Sequence, residues 1–191
     1  GIGFVDPIVE TIQEEVRKDR EYCELVDEIE AGFVNFKHAI PFVKQFKALR
    51  EKLSVDDGLV LYENRIVIPQ DLRRDVLTKL HLPHQGMSKT KARAQESVFW
   101  PGINNEIEQL VEQCAKCHNK LPSQQQETMV SDDVPTRAFE SVASDLFSLG
   151  GKTFMVCVDA YSGYPLVKEF RQEPDSEALI EVFKEWFSEK G

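Results

Sequence analysis

The sequence predicts an α+β fold, and three features of its 191 residues carry that prediction. Apolar residues at near-helical spacing run through residues 7–49, and short apolar runs broken by turn residues fill 53–68. Paired histidines and paired cysteines then bracket a further helical stretch, His81 to Cys117. Together they describe a helical metal-binding bundle, preceded by helices and a small antiparallel sheet and followed, after a linker, by an incomplete α/β segment.

Ile8, Ile12, Val16, Leu25, Val26 and Ile29 recur among charges closer to the helical period than to alternation, which predicts one or two amphipathic helices over 7–31. Gly32 to Pro41 reads as a loop, and Phe42, Val43, Phe46 and Leu49 mark a short helical face. The period then changes. Leu53-Ser54-Val55, Leu59-Val60-Leu61-Tyr62 and Ile66-Val67-Ile68 are separated by Asp56-Asp57-Gly58 and Glu63-Asn64-Arg65, the pattern of consecutive hairpins. After Pro69, Asp71 is expected to cap a helix burying Leu72, Val76, Leu77 and Leu80. Pro83 and Gly86 break that helix, and Ser88 is expected to cap a second one. A third, with Ile103, Ile107, Leu110 and Val111 on one side, leads to Cys114 and Cys117.

Residues 121–136, rich in Gln, Ser, Pro and acid, read as a linker. Beyond it, Ser141 to Phe147 and Lys152 to Asp159 read as strands joined through Gly150-Gly151, followed by a strand from Tyr164 to Phe170 and a helix whose apolar face is Leu179, Ile180, Phe183 and Phe187. The expected domains are an N-terminal extension (1–68), the metal-binding bundle (69–120), the linker (121–136) and the start of a second domain (137–191).

The net charge of −10 argues against a protein wrapped in nucleic acid along its whole length. Basic and acidic residues number 8 and 13 over 1–60, 9 and 7 over 61–122, and 6 and 13 over 123–191, so only the metal-candidate segment is net basic. The N-terminus lacks a basic-then-apolar leader and no window approaches a membrane span, so the expectation is an intracellular protein, nuclear or cytoplasmic, with no membrane partner. The absence of an initiator Met suggests a piece of something longer.

His81-x2-His84 and Cys114-x2-Cys117 supply four N/S donors of the kind a closed tetrahedral zinc site takes, and four protein ligands leave no open position, so such a zinc is structural. Competing readings are a redox dithiol at Cys114/Cys117, a haem-attachment string ending in His118, and a disulfide framework, the last two disfavoured without an export signal. Cys23 and Cys157 have no partner spacing and read as buried small apolar residues. Lys89, Lys91 and Arg93 beside the metal pair are candidates for phosphate contact, against the reading of a solvated charged face.

The strings His81-x2-His84-Gln85-Gly86, Lys89-Thr90-Lys91-Ala92-Arg93, Phe99-Trp100-Pro101-Gly102-Ile103, Ile107-Glu108 and Cys114-x2-Cys117-His118 resemble the HHCC module of integrases from gypsy-class LTR retrotransposons. The resemblance continues through Phe139-Glu140-Ser141-Val142-Ala143-Ser144-Asp145 and Phe154 to Pro165, which look like the first strands of an integrase catalytic core. It implies a ribonuclease H-like fold for 137–191, Asp145 as the first of three carboxylates that hold Mg²⁺ in a full-length core, and Asp159 as a structural residue. It implies DNA, element ends or target, as partner, together with homo-multimers. The family's second Asp and its Glu would fall downstream of Gly191, so the expectation is a polyprotein fragment, inactive in strand transfer by itself. The alternative is a domesticated or decayed element product acting as a zinc-dependent protein-interaction or DNA-binding module.

Overall fold

A computed structural model of the chain describes residues 6–119 and 134–190. It divides into two compact units, Glu10–Pro122 and a unit formed by Ser123–Gly191 with Gly1–Val9. Residues 121–133 of the expected linker lie outside the described residues.

The one or two helices expected over 7–31 are two, α1 (Pro7–Lys18) and α2 (Arg20–Glu30), and Asp19 separates them by accepting the Tyr22 N–H at 3.1 Å as the cap of α2. The stretch expected as a loop contains one tight helical turn, Phe36–His38, before α3 (Pro41–Lys44) and a second turn at Lys47–Lys52. Strands β1 (Leu53–Asp56), β2 (Leu59–Tyr62) and β3 (Arg65–Val67) form the antiparallel sheet. Asp57 and Gly58 take φ 48° and 77°, the left-handed pair that a two-residue hairpin requires.

Helices α4 (Gln70–His81), α5 (Met87–Ser97) and α6 (Ile103–Glu112) follow, with a short α7 (Ala115–His118). Neither expected side-chain cap forms. Pro69, extended at φ −63°, already stands at the cap of α4 and leaves Asp71 in the first turn; Gly86, at φ 86°, caps α5 and puts Ser88 inside it. A two-residue strand β4 (Val98–Phe99), absent from the sequence reading, pairs parallel with β3 through Ile66↔Val98 and Val67↔Phe99. The expected division at 68/69 therefore falls inside a unit whose two sides share one four-stranded sheet, in the order β1-β2-β3-β4.

Tyr22, Phe46, Val60 and Val67 are fully buried in the unit's core, as are Trp100 and Ile107 on the side of α4 to α6. The Tyr22 hydroxyl donates to Val67 O at 2.7 Å and accepts the Val60 N–H at 2.9 Å, so one side chain ties α2 to two strands. Burial pushes its pKa far up, keeping the phenol protonated for that donor role.

In the second unit, β5 (Val142–Leu149), β6 (Lys152–Asp159) and β7 (Pro165–Phe170) form an antiparallel sheet, with Gly150 and Gly151 both at positive φ in the first hairpin. Helix α8 (Ser176–Lys190), capped by Asp175, packs on the Met155/Cys157 face. Its buried side chains are Val182 and Trp186, whereas Ile180 and Phe187 are 51% and 39% exposed. The expected apolar face is thus rotated: Leu179, Val182, Phe183 and Trp186 make an i, i+3, i+4, i+7 stripe centred on the bulky indole, which Phe139 meets edge-on at 5.3 Å. Both units contain helix and sheet, and the chain is α+β.

Replacing Tyr22 by Phe removes the partner of a buried N–H and of a buried carbonyl while keeping the ring. The expected cost is about 1–3 kcal/mol, read as a lower urea midpoint at unchanged slope.

Candidate metal centre

His81 closes the last turn of α4 and is 6% exposed. Leu82 and Pro83 then turn the chain, and His84 adopts φ 47° with its N–H bonded to His81 O at 2.8 Å. This left-handed residue swings the second ring back on the first, leaving the ring centroids 4.6 Å apart at 82°. The two-residue spacing therefore works through a turn, since the helix ends at the first histidine.

Cys114 precedes α7 and Cys117 lies within it, with the Cys117 and His118 N–H groups bonded to Cys114 O at 3.1 and 3.0 Å. The Cys117 backbone N–H, and more weakly that of Lys116, holds the Cys114 thiol below its usual pKa and so favours the thiolate a metal needs. Burial, helped by His84, lowers the His81 pKa and keeps that imidazole neutral, again the ligating form.

The four donor atoms all lie within 4.8 Å of one another. His84 Nδ1 is 3.2 Å from His81 Nε2 and 3.3 Å from Cys114 Sγ, while Cys117 Sγ is 3.6 Å from His81 Nε2 and 3.9 Å from His84 Nδ1. A zinc tetrahedron with bonds of about 2.0–2.1 Å to nitrogen and 2.3 Å to sulfur has N···N edges of about 3.3 Å and N···S edges of about 3.6 Å. The donor set fits a structural Zn²⁺.

The three cations singled out beside the site go to different places. Lys89 is exposed and lines a depression of about 400 Å³ with His84, Gln85 and Cys117. Lys91 is half-buried and pairs with Glu108 of α6. Arg93 donates to Leu80 O at 3.4 Å and to Gln85 Oε1 at 2.6 Å, gripping the residues that flank the histidine turn on both sides. The helical period separates Lys91 from the face shared by Lys89 and Arg93, but nothing in the sequence shows which carbonyl Arg93 reaches.

Asp145 lies exposed in mid-β5, opposite Val156, beside a depression of about 320 Å³ bordered by Leu146, Leu179 and Phe183. Asp159 is fully buried and accepts the Phe139, Tyr161 and Ser162 N–H groups at 3.0–3.4 Å and the Ser162 hydroxyl at 2.6 Å. That hydroxyl, followed by the backbone donors, holds its carboxyl below the usual range. Cys157 is fully buried and Cys23 bonds its own chain at Val16 O.

Residues 68–123 match the model of the integrase zinc binding domain. Over 192 aligned residues the chain is 28% identical to an uncharacterized protein of Caenorhabditis elegans, an alignment covering 100% of this chain and 15% of that protein. The resemblance to retrotransposon integrases is borne out, and the metal-binding segment lies within the residues that match the integrase zinc binding domain. Among the described residues no helix is long and apolar enough to cross a membrane.

The purified chain is expected to carry one zinc, and chelation to reduce its helical circular dichroism; metal-free protein of unchanged helicity would refute the site. Arg93→Ala is expected to weaken zinc binding, read in competition with a chromophoric chelator, because its bonds to Leu80 O and Gln85 Oε1 brace the turn that carries both histidines.

Proposed function

We propose that this chain is the zinc-bearing part of a retrotransposon integrase, and that it serves DNA integration through nucleic-acid contact and multimer assembly, not through strand transfer of its own. The carrying observation is the tetrahedral donor set of His81, His84, Cys114 and Cys117 inside the segment that matches the integrase zinc binding domain. A zinc held by four protein ligands contributes folding energy and an oriented surface. Lys89, exposed beside the site, is the side chain best disposed toward a phosphate, while Lys91 and Arg93 support that surface from within.

In this reading residues 1–68 are the extension, 69–120 the zinc module, 121–136 the linker and 137–191 the start of a ribonuclease H-like core, with Asp145 as its first carboxylate. One carboxylate cannot organise two Mg²⁺ ions, and Asp159 is committed to four hydrogen bonds. Among the described residues the zinc set is the only group of three or more metal-ligating side chains. The chain spans 15% of the length of the relative it matches.

The net charge of −10 favours a second reading, a domesticated or decayed product whose zinc module binds protein. Fluorescence anisotropy on a labelled duplex of about 20 base pairs separates the two. The first reading expects zinc-dependent binding that weakens as salt rises, with Lys89→Ala reducing the log–log salt slope by about 1. Absent binding of the zinc-loaded chain at low salt would favour the second.

A further inference from the structure

After α2 the chain turns through Gly32 at φ 73° and Phe33 at φ 60°, the latter N–H bonded to Glu28 O at 2.7 Å. Left-handed backbone is unfavourable for a residue with a side chain, and it clusters where a surface is used. Here it leaves Val34 78% exposed and sets the Phe33 ring 6.3 Å from that of Phe36. Lys37, His38, Lys47 and Arg50 stand exposed around these rings, with Lys47 Nζ held 4.7 Å from the Phe36 centroid. Rings and cations line a depression of about 480 Å³.

The charge here runs against the chain's average. Residues 36–52 hold five Lys and Arg and one acid, Glu51, while residues 1–35 hold three and ten. Lys52 pairs with Glu63, but Lys37, Lys44, Lys47 and Arg50 form no ion pair among the described residues. The same compact unit carries the zinc site.

We propose that this depression is a second nucleic-acid site, in which Lys37, Lys47 and Arg50 take successive phosphates of one strand while Phe33 and Phe36 offer apolar faces to its sugars or bases. The proposal rests on the reading of the chain as a nucleic-acid-binding integrase part. Unneutralised cations around an aromatic floor are the composition of a single-strand groove, where charge tracks the backbone and rings accept any base.

The test uses the full zinc-loaded chain and labelled single-stranded DNA, single-stranded RNA and duplex DNA of about 20 nucleotides, titrated with salt. Lys47→Gln/Arg50→Gln, both exposed, is expected to keep zinc content and circular dichroism, to lose about tenfold or more in single-strand affinity, and to lower the salt slope by about 1.4 for two lost phosphate contacts. Comparing the DNA and RNA arms identifies which strand is held. Phe36→Leu, which keeps an apolar side chain but no ring, is expected to weaken the single strands more than the duplex. If the charge variant binds like wild type while Lys89→Ala lowers the slope, this site is refuted and the zinc-module reading stands. If wild type binds no nucleic acid, both fall. Binding to phosphatidylserine vesicles or polyglutamate that nucleic acid does not compete away would overturn the proposal in favour of a membrane or an acidic protein.

Discussion

Two histidines and two cysteines separated by 29 residues must bring four donor atoms within 4.8 Å, and the architecture between them meets that constraint from the far end. Helix α4 leaves the sheet just after β3, and α6 leaves it just after β4. The parallel pairing of those strands, with Ile68 N–H bonded to Phe99 O at 3.1 Å, starts both helices side by side. With 12 and 10 residues, the helices advance about 18 and 15 Å, so their far ends arrive at similar distances carrying one ligand pair each. Trp100 at the root of α6 is fully buried, bonds Glu106 through its indole N–H at 3.0 Å and lies under Arg73 of α4, which keeps the two roots together.

What was legible in the sequence was local. Ligand pairs two residues apart, Asp57-Gly58 and Gly150-Gly151 at hairpin tips, and the change of period at Leu53 each depend on neighbours within a few positions, and each appears in the structure where expected. What was missed depends on partners far along the chain. Strand β4 is two residues long and exists only because β3 offers it an edge, and the grip of Arg93 on Leu80 and Gln85 crosses a turn and a helix. The phase of α8 went wrong for a related reason. Several apolar residues crowd that helix, and Trp186 against Phe139 decides which of them face the sheet, an outcome hydrophobicity alone does not rank.

Charge shows the same division between average and place. Counted over residues 1–60 the extension is acidic, yet its acids sit mostly on α1 and α2 while its cations gather between Phe36 and Lys52. In the net-basic zinc segment the reverse holds, because Lys91 and Arg93 are spent on Glu108, Leu80 and Gln85 inside the module. At the roughly 8–10 Å over which salt lets exposed charges act, local exposure outweighs the segment's sum.

Root and tip of the zinc unit are held by different forces. At the root, Tyr22, Val60, Val67 and Trp100 are fully buried, and apolar packing with the hydroxyl bridge suffices. At the tip, α7 buries no side chain, and the nearest core residue on α6, Val111, is already 8% exposed. Apart from His81, itself 6% exposed, packing thins where the ligands begin, and the metal supplies the cross-link that apolar area cannot. Lys89 lines a depression with His84 and Cys117 at this tip. The basic depression around Phe33 and Arg50 lies instead on the segments that flank Val43 and Phe46, which are 1% and 0% exposed. The unit thus offers two cationic surfaces, one beside the metal ligands and the other beside buried residues of the extension.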